Sequence, residues 1–136
     1  MLKQEWVDHL YDYIEIEDDI YNVLKIQGIK EKFERLDNLY QLGFAHKVFP
    51  RADHKKLNHN LGTYYLAKSL IENDILSAKS VNNHSFKFAA LIHGIGHFAF
   101  SLSTEIALQK GILLENSIES QLSNYLADIL KELYNL

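Results

Sequence analysis

The residues with chemistry to offer are histidines. His93 and His97 stand four apart in Leu91-Ile92-His93-Gly94-Ile95-Gly96-His97. On a helix that spacing turns two imidazoles the same way, a common start for a metal site. A further imidazole, His59, lies upstream in Leu57-Asn58-His59-Asn60-Leu61-Gly62. Gly94, directly beside His93, puts no side chain into such a site. Two imidazoles without a carboxylate bind zinc, nickel or copper, but usually weakly.

The elements that must carry these histidines belong to a chain of 136 residues, a length that fits one domain, 1–136, with a real hydrophobic core. An apolar fraction of 47% and a charged fraction of 24% are those of a soluble globular protein. The net charge of -4 argues against a general nucleic-acid surface. Lys47, Arg51, Lys55 and Lys56 form the one basic cluster of note, read as a solvated loop face before a phosphate or nucleic-acid contact. With no cysteine there is neither a disulfide framework nor a thiolate zinc site, which fits a reducing compartment. No apolar run reaches membrane-spanning length, and the N-terminus lacks the apolar core of a signal peptide. The expectation is a cytoplasmic protein with no membrane contact.

The pattern is mainly α, with about six helices. Tyr13 to Glu17 alternates apolar with acidic residues and reads as a short strand. With Glu5-Trp6-Val7 before it and Asp8 to Asp12 as the bend, it closes a small hairpin. A helix with Leu2, Trp6, Leu10 and Tyr13 on one face competes on even terms. Ile20, Val23 and Leu24 predict a short helix stopped at Gly28. Phe33, Leu36, Leu39 and Tyr40 predict the next, ending at Gly43, and residues 44–56 a loop with the only proline. Leu57, Leu61, Tyr64, Tyr65 and Leu66 mark a third helix ending near Asn73. Asn83 is placed to cap a fourth through Leu91, with Gly94 and Gly96 loosening or ending it. Thr104 to Lys110 is a fifth, and Asn116-x-x-Glu119 opens an amphipathic C-terminal helix over 115–135. That last stripe is core or a partner surface, which makes self-association plausible.

In this order the segments resemble HD-domain phosphohydrolases, specifically the deoxynucleoside triphosphate triphosphohydrolase-like branch, over about residues 8–105. Asp8-His9-Leu10-Tyr11-Asp12-Tyr13-Ile14-Glu15-Ile16 looks like that branch's D-P-V/I/L-H/Y-G-Y/F-I-E-L/I opening hairpin. Phe33-Glu34-Arg35-Leu36 with Tyr40-Gln41-Leu42-Gly43 is similar to F-x-R-L-x-x-I-x-Q-L-G. Val48-Phe49-Pro50-Arg51-Ala52-Asp53-His54 resembles V-F-P-G-A-T/S-H, and Leu57-Asn58-His59-Asn60-Leu61-Gly62 resembles F-E-H-S-L-G. Ala89-Ala90-Leu91-Ile92-His93-Gly94-Ile95-Gly96-His97 matches A-A-L-L-H-D-I-G-H except at the aspartate. Phe100-Ser101 and Glu105 continue the P-F-S-H-x-x-E tail. The resemblance implies an HD-domain helical bundle and favours the hairpin at the N-terminus.

It also implies roles. Such proteins hold one divalent metal with a motif histidine, the H-D pair and a distant aspartate; here His59 and His93 survive as a weak or vestigial pair. His97 resembles a histidine near the phosphates and is the candidate catalytic group. Gln41 and Leu42 fall at positions like sugar contacts, His54 at a pocket-edge histidine, and Lys56 at a phosphate-binding arginine. The departures fall together. The H-D aspartate is Gly94, the F-S-H histidine is Leu102, and no counterpart of the distant D-x-D-x-x-D-Y follows. Lys56 keeps a charge but loses the bidentate fork. Asp128 should face solvent, about 130° from the centre of its helix's apolar stripe. Asp53 and Glu105 are the nearer substitutes for the lost carboxylate.

The expected reading is a degenerate, catalytically impaired HD protein serving as a ligand-binding or protein-interaction module. The alternative is an active metal-dependent (deoxy)nucleotide phosphohydrolase whose ligands come from Asp53, Glu105 or another chain. The implied cofactor is a divalent metal (Mn, Mg, Fe, Zn or Ni), held weakly or not at all. The implied partners are a nucleotide, a second copy or another protein. The bland alternative leaves His59 and His93 as buried, hydrogen-bonded core histidines and His97 as structural.

Overall fold

The computed structural model of the chain describes residues 2–75, 82–98 and 104. Leu102, Glu105, Asp128 and the expected fifth and C-terminal helices lie outside the described residues, apart from Thr104.

The N-terminus is the hairpin, not the helix. β1 (Glu5–Asp8) pairs antiparallel with β2 (Asp12–Glu15), Trp6 opposite Ile14. Alternation decides it. Ile14 and Ile16 are buried, while Tyr13 and Glu15 point outward. A helix would have had to bury Leu10, which stands 77% exposed at the turn. Two aspartates build that turn. Asp8 Oδ1 accepts from the N–H groups of Leu10 and Tyr11 at 2.8 and 3.2 Å. Asp12 takes a φ of 58°, a left-handed conformation that aspartate tolerates.

α1 (Asp18–Leu24) buries Ile20 and Leu24 and carries two aspartates in its first turn, where the helix dipole favours them. Gly28, at φ 91°, redirects the chain into α2 (Ile29–Arg35). The helix expected to continue through Tyr40 stops sooner. A 3₁₀ turn follows over Leu36–Asn38, and Leu39 is extended. Competing backbone pairing explains this. Gln41 N–H donates to His54 O at 3.0 Å, Lys56 N–H donates to Leu39 O at 2.7 Å, and Tyr40 bridges Lys55. The segment is thereby tied to the start of the next helix. The expected loop after Gly43 contains a second 3₁₀ turn, Gly43–Lys47.

α3 (Lys56–Glu72) and α4 (Asn83–Ile92) form the main helical pair. The cap of α4 is Asn82 rather than Asn83: its Oδ1 accepts from the N–H groups of His84 and Ser85 at 3.0 and 3.2 Å. One continuous core joins Leu57, Leu61 and Tyr64 of α3 to Phe88, Leu91 and Ile92 of α4, with Ile14, Ile16, Leu24 and Phe33 beneath. Tyr64 is fully buried and its hydroxyl accepts from Glu17 N–H at 3.1 Å. Burial pushes its pKa up to about 12, so it stays a neutral phenol. Glu17 also pairs with Lys87, joining α4 to the start of α1. Gly62 lets the hairpin dock on α3. A β carbon there would stand 2.9 Å from the Tyr11 ring, which packs on Tyr65 at 4.6 Å between centroids.

Candidate functional site

His59 projects from the first turns of α3, and His93 sits just past the last residue of α4. The two rings meet edge to face, with their Nε2 atoms 3.2 Å apart. His93 Nδ1 lies 2.8 Å from Ala90 O and can only donate to that carbonyl. In the neutral His93 ring Nε2 is then the acceptor, and His59 Nε2–H the donor. Both rings are exposed, so they are not buried core histidines.

His97 does not share a helical face with His93, contrary to the four-residue spacing. α4 ends at Ile92, and residues 93–96 form a turn closed by Ile95 N–H to Ile92 O and His97 N–H to Gly94 O, at 2.9 and 3.3 Å. Gly94 and Gly96 favour this outcome because glycine weakens helix continuation. Arg35 fixes the turn, donating from Nη2 to Ile95 O at 3.1 Å and His97 O at 2.6 Å.

Partial burial lowers the His59 pKa, and the nearby basic groups His93, Lys56, His54 and His97 lower it further. Four groups singled out in the sequence therefore act on a fifth, His59. All are basic, and among the described residues no carboxylate joins these influences, although Asp53 walls the same cleft. His59 is accordingly held neutral. Lys56 is buried at the start of α3, and His54 is exposed. A cleft of about 590 Å³ opens between the hairpin turn and α3, walled by His9, Tyr11, Asp53, His54, Lys55 and His59 among others. Gln41, Leu42 and Lys56 are not on its wall. Gln41 Oε1 is buried without a hydrogen-bond partner among the described residues, and Leu42 is half exposed. Nor do the basic residues form one face. Lys55 Nζ lies 3.4 Å from the Tyr40 ring centre, Lys56 is buried, and Lys47 and Arg51 are exposed.

The His-Asp pattern implies a divalent ion held by donors that converge, a carboxylate among them. An Nε2–Nε2 separation of 3.2 Å is close to what two ligands of one ion require, since Zn–N bonds run about 2.0–2.1 Å. The acid is missing. Among the described residues no three His, Cys, Asp or Glu side chains form a group able to hold a metal, so neither Asp53 nor His54 nor His97 completes the pair. The place beside His93 where a carboxylate would root is filled. A β carbon on Gly94 would lie 2.5 Å from Asn60 Oδ1. Asn60 is fully buried, donates from Nδ2 to Leu91 O at 2.7 Å, and leaves Oδ1 without a partner among the described residues. The described residues therefore do not fit the ion that the His-Asp pattern implies. Neither Asn60 nor Arg35 stood out as functional in the sequence. For Asn60 the available signal was its departure from serine in H-S-L-G.

The frame of the site is a two-stranded hairpin laid over a helical bundle, with paired histidines where two helices meet. No family model matches the chain. It is 31% identical over 106 residues to a putative HD domain-containing protein of Acanthamoeba polyphaga mimivirus, covering 61% of this chain and 23% of that one. It is 30% identical over 103 residues to the deoxynucleoside triphosphate triphosphohydrolase SAMHD1 homolog of Dictyostelium discoideum, covering 72% of this chain and 19% of that one. A crystal structure of a hypothetical protein from Aquifex aeolicus superposes with a TM-score of 0.71 at 29% identity, covering 98% of this chain and 34% of its own. The chain belongs to the HD-domain superfamily, close to its triphosphohydrolase-like branch. It spans less than a quarter of the length of these two sequence relatives. Among the described residues no helix is long and apolar enough to cross a membrane.

Proposed function

We propose that this chain is a ligand-binding HD module that has given up metal-dependent phosphate hydrolysis, and that its ligand is an anionic phosphate compound of the nucleotide class. The observation that carries this is the Asn60 amide seated where a side chain at position 94 would begin. A phosphohydrolase of this type needs an ion to polarise phosphate or activate water, and the donors among the described residues are two imidazoles with no carboxylate completing the set. What remains near His59 among the described residues is a set of basic groups, His54, Lys56, His93 and His97, which outnumber the acids Asp8 and Asp53 on the cleft wall two to one. That balance suits an anion. The relatives named as deoxynucleoside triphosphate triphosphohydrolases supply the nucleotide class. Residues 1–136 act as one domain in this reading, in the cytoplasm, with His54 on the cleft wall serving the ligand and Gln41 and Leu42, which lie off that wall, meeting a part of it that extends beyond the cleft.

One observation favours a second reading, an active enzyme completed by residues elsewhere: the two Nε2 atoms converge at a separation suited to a shared ion. Purified chain, with and without Mn²⁺, is to be assayed for metal content, triphosphate release from deoxynucleoside triphosphates, and thermal shift with the same nucleotides. The binding reading expects a nucleotide-dependent rise in Tm without turnover. Stoichiometric Mn²⁺ with turnover abolished by His93→Ala would establish the enzyme instead.

A further inference from the structure

Asn60 is an anomaly for a helix interior. It is a fully buried primary amide with one hydrogen bond, from Nδ2 to Leu91 O, and an Oδ1 that meets no donor among the described residues. Leaving a buried acceptor unpaired is unfavourable, so something else must keep the side chain there. Its surroundings supply the reason. A β carbon on Gly94 would lie 2.5 Å from Oδ1, 3.1 Å from Nδ2 and 3.2 Å from Cγ. The whole amide plane therefore occupies the space that a side chain at position 94 would enter. The motifs this chain resembles carry the opposite pair, a small serine at position 60 and an aspartate at position 94. Here the larger side chain is at 60, and 94 has none.

We infer that Asn60 and Gly94 are a coupled exchange: Asn60 fills the volume of the lost aspartate and closes the acidic corner of the His59–His93 site sterically as well as chemically. Anchored to Leu91 O, the amide has little freedom to yield. Restoring an aspartate at 94 alone drives a β carbon into it and sets a carboxylate against an unpaired carbonyl oxygen. Restoring serine at 60 first reopens the corner. This inference rests on packing and is independent of whether the module binds nucleotides.

The test compares the parent with Asn60→Ser, Gly94→Asp and the double variant, each checked for helical content by circular dichroism. Metal-free Tm is read for all four, followed by Co²⁺ uptake from its visible absorption band. Gly94→Asp is expected to lower Tm and take up no Co²⁺. The double variant is expected to recover much of that Tm loss and to gain a Co²⁺ band that His93→Ala removes. Additive Tm shifts would overturn the coupling. So would a Gly94→Asp variant as stable as the parent with the same Co²⁺ band as the double. A double variant that recovers Tm without taking up Co²⁺ would overturn the claim that Asn60 closes the site. Should Gly94→Asp fail to fold, Gly94→Ala with and without Asn60→Ala tests the same contact without a charge, and equal Tm shifts in both backgrounds would refute it.

Discussion

Gly62 offers the sharpest test of how the hairpin is held over the cleft, because two effects of opposite sign meet there. Replacing a glycine inside a helix by alanine stabilises it by about 1 kcal/mol. At Gly62 the added β carbon would stand 2.9 Å from the Tyr11 ring, which is itself packed on Tyr65. Overpacking costs roughly 1–3 kcal/mol. An aromatic ring at the end of its side chain can tilt aside, so about 2 kcal/mol is the reasonable figure. Gly62→Ala should then destabilise the parent by ~1 kcal/mol net, a fall in Tm of about 3–5 °C. In a Tyr11→Ala background the clash is gone and only the helix term remains. The same substitution should there stabilise by ~1 kcal/mol. The coupling between the two sites is thus about 2 kcal/mol, well above the few tenths expected of independent positions. Urea unfolding of the four proteins in a double-mutant cycle measures it. If Gly62→Ala stabilises both backgrounds equally, the close approach of Tyr11 to α3 is not what holds the hairpin, and the reasoning fails.

Arg35→Met removes both hydrogen bonds that Nη2 donates to Ile95 O and His97 O. It should cost about 1–3 kcal/mol in urea unfolding and shift the His93 ring resonances as the turn loosens. Asn82→Ala should cost ~1 kcal/mol by uncapping α4, whereas Asn82→Gly should cost only a few tenths. The His59 pKa is lowered by folding, so between its folded value and the ordinary value the unfolded chain binds more protons. The contribution of His59 to stability is therefore present above the unfolded pKa and is lost as pH falls below it. Tm should drop from pH 7.5 towards pH 5, by less in His59→Gln than in the parent; equal slopes would refute this.

The fold was largely legible because it depends on periodicity. The alternation at Tyr13–Glu17 and the apolar spacing on α1, α3 and α4 each report burial along one element, and the structure buries Ile14, Ile20, Leu24, Leu57, Leu61, Tyr64, Phe88 and Leu91 accordingly, while Leu66 stands 49% exposed. Legibility failed where a long-range backbone bond competed with local pattern. Leu39 and Tyr40 continue the apolar spacing of α2, yet Leu39 O accepts from Lys56 N–H and the helix gives way to an extended segment. Nothing within residues 33–40 announces that Leu39 will pair with Lys56, 17 residues further on. The one-residue error at the cap of α4 has a simpler cause. Asn82 and Asn83 are chemically equal candidates, and only the chain direction entering the helix selects between them.

The site divides along the same line. His59 and His93 were legible as residue types within motifs, and the structure brings their Nε2 atoms together. Spacing misled for His97, since a four-residue interval implies a shared face only while the helix lasts, and α4 stops before it begins. Gly94 was legible as a missing carboxylate, but a missing side chain has two physical outcomes. It leaves a cavity, or a neighbour expands into it, and the cost of a cavity favours the second where a neighbour can reach. Asn60 can reach because its α carbon sits on the adjoining helix with its amide held by Leu91 O. That relation joins residues 34 positions apart in sequence and is invisible to any reading of either position alone. A lost ligand whose space has been refilled is harder to restore than one whose space is open, so a single substitution in the motif understates how far this site stands from the metal-binding arrangement.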